Sequence, residues 1–248
     1  MAHLKCRTLK MTPNNANAFQ RQLESDGFAI FPVCLDGDTV KRFRREFGRT
    51  EAPQRNLLSL PSIRALVTSK SVREIVEAAL GPRCFAVRGL FFNKTPNENW
   101  KVVWHQDLTI AVSERREAVE FGPWTTKGGV PHVQAPAEIL RDILAIRLHL
   151  DESGPDNGPL RVLPGSHVAG RLSAERISSW DKKDSVICTV PKGGALVMHP
   201  LLLHASSACS VLTPRRVIHI EFAAGELPHG LDWHTKISCG YPGRNAKG

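Results

Sequence analysis

Three histidines in this chain stand two residues ahead of an acid: His105-Gln-Asp107, His149-Leu-Asp151 and His219-Ile-Glu221. On a strand, successive side chains alternate between faces, so an H-x-D or H-x-E triplet aims both groups the same way. Two histidines and one carboxylate on one face of an octahedron leave three positions open, room for a chelating co-substrate and O2. One triplet alone is a weak signal, because such spacings arise by chance. His219-Ile-Glu221 lies near the end of the strand-rich sequence, with little β structure downstream to supply a third ligand. His149-Leu-Asp151 runs into the turn-rich stretch DESGPDNG, which reads as Asp151 capping a loop. His105-Gln-Asp107 has ample strand sequence behind it, and His204 arrives late in the chain. A dicarboxylate co-substrate would further call for arginine, whose planar fork meets a carboxylate with two parallel hydrogen bonds. Arg215 and Arg216 open the strand RRVIHIEF. Alternation groups Arg215 with Val217, His219 and Glu221 on one face, and Arg216 with Ile218 and Ile220 on the other. Only one of the two arginines can reach a pocket.

The elements that must hold these residues change character along the chain. The first third reads as helical: residues 14–27 with an Asn cap and a terminal glycine, 36–47 starting with Asp36, and 71–80 stopped by Gly81-Pro82. A short strand, 28–33, interrupts them. From Cys84 onward short strands follow one another at 84–93, 102–105, 143–150, 160–163, 186–190, 195–198 and 215–222, separated by Gly, Pro, Asn and Ser. That spacing points to an all-β jelly roll or barrel. The expected architecture is mainly β with flanking helices, one domain over residues 1–248. It has a helical N-terminal layer over 1–83, a β core over 84–224 and a tail over 225–248. The stretch 109–142 reads as an irregular lid ahead of a helix starting at Pro136.

Composition narrows the function classes. The net charge of +9 comes from dispersed bases. The one dense stretch, Lys41 to Arg49, is interrupted by Glu46 and followed by Glu51, so it reads as a solvated helix face and not a nucleic-acid stripe. No apolar run approaches the roughly 18 residues of a membrane helix, and the N-terminus carries no apolar segment of signal-peptide length. The six cysteines contain no C-x-x-C pair. That argues against a structural zinc site or a disulfide framework and for reduced thiols in the cytoplasm.

WHQD (104–107), DNGPLRVLPGSH (156–167) and HPLLLHASS (199–207) followed by PRR (214–216) resemble the phytanoyl-CoA dioxygenase family of iron(II)/2-oxoglutarate-dependent oxygenases. The resemblance runs from about Phe28 to Phe222 with the motifs in the family's order, and it selects His105-Gln-Asp107 among the three triplets. It implies a double-stranded β-helix, with iron(II) on His105, Asp107 and His204. It also implies O2 as oxidant and 2-oxoglutarate held by Arg215 with Ser206 as a helper. Lys94 leads into the metal motif and is expected to face the pocket with Arg88, Leu90 and Phe92; Gln106, between the ligands, is a further co-substrate candidate. Where many relatives carry a tryptophan, this chain has Arg147, with His149 two residues on, which places an extra cation beside the co-substrate.

The remaining substrate-contact candidates are Trp124 and His132 in the expected lid and Trp233 near the C-terminus. Against them stand structural readings: Trp233 as core packing, His167 as the histidine fixing a turn, and His199 and His219 as packed strand histidines. The segment after Asp107, LTIAVSERR, departs from the Trp- and acid-rich motif of ectoine hydroxylase, which argues against ectoine as substrate. A carboxylate at position 107 argues against halogenation, since related halogenases carry a small residue there. The implied function is oxidation, chiefly hydroxylation, of a small organic molecule. A non-catalytic jelly-roll binding protein and an oxygenase acting on nucleic acid are the alternatives.

Overall fold

The helical layer forms where amphipathic spacing meets good end signals. The computed structural model describes residues 15–48, 53–94, 101–211 and 213–240. The expected cap Asn14, Cys6 and the ends 1–14 and 241–248 lie outside them. Helix α1 (Ala16–Asp26) buries Phe19 and Leu23, one turn apart. It stops at Gly27, whose φ of 80° only glycine adopts freely; a Cβ there would meet His167 Nδ1 at 2.5 Å. Strand β1 (Phe28–Phe31) follows at once. Helix α2 (Gly37–Glu46) is capped by Asp36, which accepts the Thr39 N–H at 2.7 Å. It turns Val40 and Phe43 inward and leaves Lys41, Arg42, Arg44 and Arg45 in solvent, the expected solvated basic face. Helices α3 (Pro61–Val67) and α4 (Lys70–Leu80) complete the layer. The sequence reading lacks α3, whose seven residues are too few to show a periodicity.

The β region forms three antiparallel sheets. Its strands are β2 (Phe85–Lys94), β3 (Val102–His105), β4 (Thr109–Ala111), β5 (Trp124–Lys127) and β6 (Val130–Gln134). After helix α5 (Ala137–Arg141) come β7 (Ile143–His149) and β8 (Leu160–Val162). Helix α6 (Ala174–Ser179) precedes β9 (Val186–Cys188), β10 (Ala195–Met198), β11 (His204–Ser206), β12 (Arg215–Ala223) and β13 (Ile237–Ser238). The major sheet runs β1-β10-β7-β12-β2-β13 and the minor sheet β3-β11-β8-β9. One face of the major sheet presents Phe91, Ile146, Leu148, Ile218 and Ile220 to a core shared with α1–α4. A second core joins Leu196 and Met198 of the major sheet to Leu160 and Val162 of the minor one. Two facing antiparallel sheets with helices packed outside the larger one make the double-stranded β-helix that the strand pattern and the resemblance imply.

The stretch 109–142 differs from expectation. It is not irregular: β4, β6 and β5 form a third sheet. Lys127 pairs with Val130 across Gly128-Gly129, whose φ angles of 59° and 79° make a two-residue hairpin loop. The Gly-Gly pair was the available signal, but flanking strands of four and five residues are too short to show alternation clearly. Helix α5 starts after Pro136 as expected.

Candidate metal centre

His105 ends β3 and His204 opens β11, and the two are paired neighbours in the minor sheet. Their ring centroids lie 4.1 Å apart. Asp107 follows two residues later, its N–H held at 2.9 Å by the carbonyl of Pro200 in the HPLLLH turn. Asp107 Oδ1 is 3.6 Å from His105 Nε2 and its Oδ2 is 3.4 Å from His204 Nε2. The three ligand atoms all lie within 4.8 Å of one another, close enough to hold one metal ion.

Each histidine is oriented by the chain itself. His105 Nδ1 is 2.9 Å from the Val103 carbonyl and His204 Nδ1 is 2.9 Å from the Leu202 carbonyl. A carbonyl only accepts, so both Nδ1 atoms carry the proton and both Nε2 atoms offer a lone pair toward Asp107. Burial pushes His204 down to about 4, against the pull of Asp107. Burial also opposes charge on Asp107, but the neighbouring His204 and His105 hold its carboxyl well below the usual carboxylate range. His105 moves the other way, raised by Asp107 against its burial, so a metal would displace its proton, while neutral His204 and ionised Asp107 are already the states a metal needs. Two nitrogens and one oxygen with an open side suit iron(II).

A cavity of about 230 Å³ opens over the triad, and the inner faces of β2, β7 and β12 line its far wall with Arg88, Leu90, Phe92, Arg147, Arg215, His219 and Glu221. Arg215 is 3% exposed, and its Nε and one terminal nitrogen have no hydrogen-bond partner among the described residues. Burial lowers it to about 10, so it stays charged at neutral pH. A buried guanidinium facing a cavity with two unsatisfied nitrogens is costly by itself and fits a carboxylate that the protein must recruit. Ser206 lines the same cavity. Arg216, on the opposite face, forks onto Asp151 with bonds of 2.7 and 2.8 Å. The alternation expected along RRVIHIEF therefore holds, and Asp151 is committed to an arginine and not to metal.

A chain of polar contacts crosses the cavity wall. Arg147 donates to His219 Nδ1 at 3.2 Å, and His219 Nε2–H donates to Glu221 at 3.1 Å. Arg88 reaches Glu221 from the other side at 3.4 Å. Because arginine can only donate, His219 is fixed as the Nε2–H tautomer. Arg147 also sits 5.3 Å over the Phe92 ring. His219, read from sequence as a packed histidine, is packed but also faces the cavity. Glu221, Val102 and Leu160, not proposed from sequence in this role, line it too. For His219 and Glu221 the shared face with Arg215 was the available sign.

Other candidates fall elsewhere. Gln106 points away from its neighbours His105 and Asp107: its amide donates to Gly170 and Leu201 carbonyls at 2.8 and 2.7 Å and accepts from Leu172 N–H at 2.9 Å. Alternation puts it on the far side of the strand, where it ties loops together and touches no co-substrate space. Lys94 is in register with Arg215 but fully buried, its Nζ 3.3 Å from Ser206 Oγ and 2.5 Å from the Ser207 carbonyl. It is not on the cavity wall, so it can act on that space only through Ser206. His149 is buried off the wall near Arg147 and Arg215, held neutral by burial and by their charges. Trp124, on β5, packs against a further cluster that includes Ile110, Val133 and Trp233. Trp233 is core, donating to the Gly225 carbonyl at 3.0 Å and meeting Phe85 edge-on. His132 lines a neighbouring cavity instead of the metal one.

Comparison with known proteins adds three kinds of likeness. The phytanoyl-CoA dioxygenase family model matches residues 48–217. The peroxisomal phytanoyl-CoA dioxygenase of Homo sapiens is 22% identical, over 84% of this chain and 68% of its own length. A probable alpha-ketoglutarate-dependent hypophosphite dioxygenase of Stutzerimonas stutzeri is 25% identical over 77% of this chain and 60% of its own. The crystal structure of SnoN, a non-heme alpha-ketoglutarate-dependent epimerase from nogalamycin biosynthesis, superposes with a TM-score of 0.65 at 17% identity. The match covers 95% of this chain and 91% of that one, a likeness of fold. This chain thus spans about two thirds of the length of the two curated relatives.

Proposed function

This chain belongs to the phytanoyl-CoA dioxygenase family, and from that premise we propose that it is an iron(II)- and 2-oxoglutarate-dependent oxygenase of a small organic molecule. The observation that carries the reading is the pairing, across one cavity, of a His-Asp-His triad with a buried guanidinium that has no counter-ion among the described residues. His105, Asp107 and His204 would hold the metal, and Arg215 the distal carboxylate of 2-oxoglutarate. Ser206 sits beside that carboxylate position, its hydroxyl set by Lys94. Together the bound metal and co-substrate supply the oxidising power, with 2-oxoglutarate going to succinate and CO2 as the substrate takes up oxygen.

The protein's own work is orientation and charge. The Val103 and Leu202 carbonyls fix the ligand tautomers, so the metal meets lone pairs without proton rearrangement. Arg215, deep and desolvated, meets a carboxylate more strongly than a surface arginine would. Arg147, held by His219 and Phe92, keeps a second positive charge on the same wall. The basic run of α2 does not form a nucleic-acid stripe, since Lys41 pairs with Asp38 at 3.1 Å and Arg44 with Asp151 at 3.4 Å; this supports a small-molecule substrate. Among the described residues no helix is long and apolar enough to cross a membrane, and the described cysteines form no disulfide with one another. Both fit a cytoplasmic enzyme.

The test is anaerobic titration of the apoprotein with iron(II) and 2-oxoglutarate, watching for the visible charge-transfer band of the chelate. We expect a band with the wild type and none with His204→Ala. A folded wild-type protein that gives no band would mean a jelly-roll binding module without this chemistry.

A further inference from the structure

A second cavity, about 300 Å³, adjoins the metal cavity and shares Arg88 and Leu90 with it as a common wall. Arg55, Arg64, His132 and His234 also line it, and among the described residues no carboxylate does. Arg64 is positioned by its Nε–H, which donates to the Leu58 carbonyl at 2.8 Å. Arg88 donates to the Thr109 carbonyl at 2.9 Å, and Lys127 Nζ stands 3.4 Å from the hydroxyl of that same threonine. The cations feel one another. Lys127 is lowered by burial and then by the charges of Arg88 and Arg55, and His132 by burial and then, against its bond to Val130, by Arg88, Lys127 and Arg55. Two acids offset part of this: Glu221 pairs with Arg88 at 3.4 Å from the metal side, and Asp107 and then Glu221 pull Lys127 back up. With Arg88 paired and Lys127 off the vestibule wall, Arg55 and Arg64 are the lining cations without a carboxylate partner among the described residues.

Like charges gathered on a concave wall raise its potential and draw counter-ions. A solvated basic surface would spread such groups apart; here they converge on a cavity whose inner wall is also the wall of the metal site. We propose that this vestibule is an anion subsite that binds a dianionic oxyanion group of the substrate, a phosphate monoester or a paired carboxylate. The reacting carbon then lies past Arg88 and Leu90, at the triad. The inference rests on the oxygenase reading for what happens at the triad, but the subsite itself does not. Two unpaired arginines, Arg55 and Arg64, with Arg88 behind them match a dianion better than a single carboxylate, for which one arginine fork is enough. Arg88 touches both spaces, so it is the residue through which an anchored anion would position the substrate.

The test needs neither iron nor 2-oxoglutarate. Inorganic phosphate and malonate are each titrated calorimetrically, at low ionic strength, into the full-length wild type, Arg215→Ala and the double variant Arg55→Ala/Arg64→Ala. Both replaced arginines of the double variant lie on the exposed side of the vestibule, and its fold is checked by thermal unfolding. We expect wild type and Arg215→Ala to bind within twofold of each other, the double variant to bind at least tenfold more weakly, and binding to fall steeply with salt. Tighter phosphate would assign a phosphoryl group to the substrate, tighter malonate a dicarboxylate, and either supports the subsite. Binding lost in Arg215→Ala but kept in the double variant would place the anion in the co-substrate position and overturn the proposal. Absence of binding by either probe would overturn it as well. A missing chelate band with phosphate binding intact would sink the oxygenase reading alone.

Discussion

Arg215 and Arg216 are chain neighbours with opposite surroundings, so replacing each by alanine should separate ligand binding from stability. Arg215 faces the cavity without a counter-ion among the described residues, whereas Arg216 is bonded twice to Asp151, with both side chains about nine-tenths buried. If Arg215 makes two charge-assisted hydrogen bonds to 2-oxoglutarate, each worth about 1.5 kcal/mol at the low end, the loss is about 3 kcal/mol. That is about a hundredfold in affinity. Its removal should not unfold the apoprotein, because it deletes a buried cation that already repels Arg147 and Lys94. The melting temperature should stay level or rise. Arg216→Ala should do the reverse. Asp151 keeps Arg44 at 3.4 Å but loses its fork, for about 2 kcal/mol, or about 4–8 °C in a chain of this length. Its 2-oxoglutarate affinity should stay within about twofold of wild type, since it touches no part of the cavity. Calorimetric titration of 2-oxoglutarate into the iron(II)-loaded, oxygen-free protein and a thermal scan of the apoprotein read the two axes separately. Equal losses of affinity, or a stability loss confined to Arg215→Ala, would refute the strand register and the anion clamp with it.

Three further outcomes follow from the same geometry. Asp107→Ala should lose tight iron(II) binding while Asp151→Ala keeps it; the opposite result, read by metal titration, would mean that the wrong triplet was assigned. Gln106→Ala should cost about 2–4 kcal/mol from its three buried hydrogen bonds and leave 2-oxoglutarate affinity unchanged, so a large affinity loss in a stable variant would restore it to the co-substrate site. Acid should weaken the apoprotein. His149 is held well below its ordinary value, and His199 and His204 at about 4. Below about pH 6.5 the unfolded chain therefore takes up protons that the folded chain refuses, so stability rises with pH from about 4 to 6.5. The slope should approach three protons, about 4 kcal/mol per pH unit at its steepest. His105, raised by Asp107 despite its burial, acts in the opposite direction above that window. Urea midpoints across pH 4–7 that show less than one proton of slope would contradict the burial of these imidazoles.

What was legible in the sequence is what the backbone period alone dictates. Alternation decided that His105 and Asp107 share a side and that Arg215 and Arg216 part company; applied to Gln106 it would have ruled out the co-substrate role given to that residue. The end signals Gly27, Asp36 and Gly81 located α1, α2 and α4, because they act within a single turn. Spacing could not choose among the three H-x-D/E triplets; the family resemblance chose His105-Gln-Asp107, and the geometry behind that choice is tertiary. Only the pairing of β11 with β3 sets His204 against His105, and that register depends on strands far apart in sequence closing over a common core. The same holds for Lys94, which by period faces the pocket but is covered by Ser206 and Ser207 of the opposite sheet. It holds also for Arg55 and Arg64, which no local pattern connects to the metal site. They reach its neighbourhood because the major sheet packs against the chain between α2 and α4, and the sum of such long-range contacts is a property of the folded chain alone.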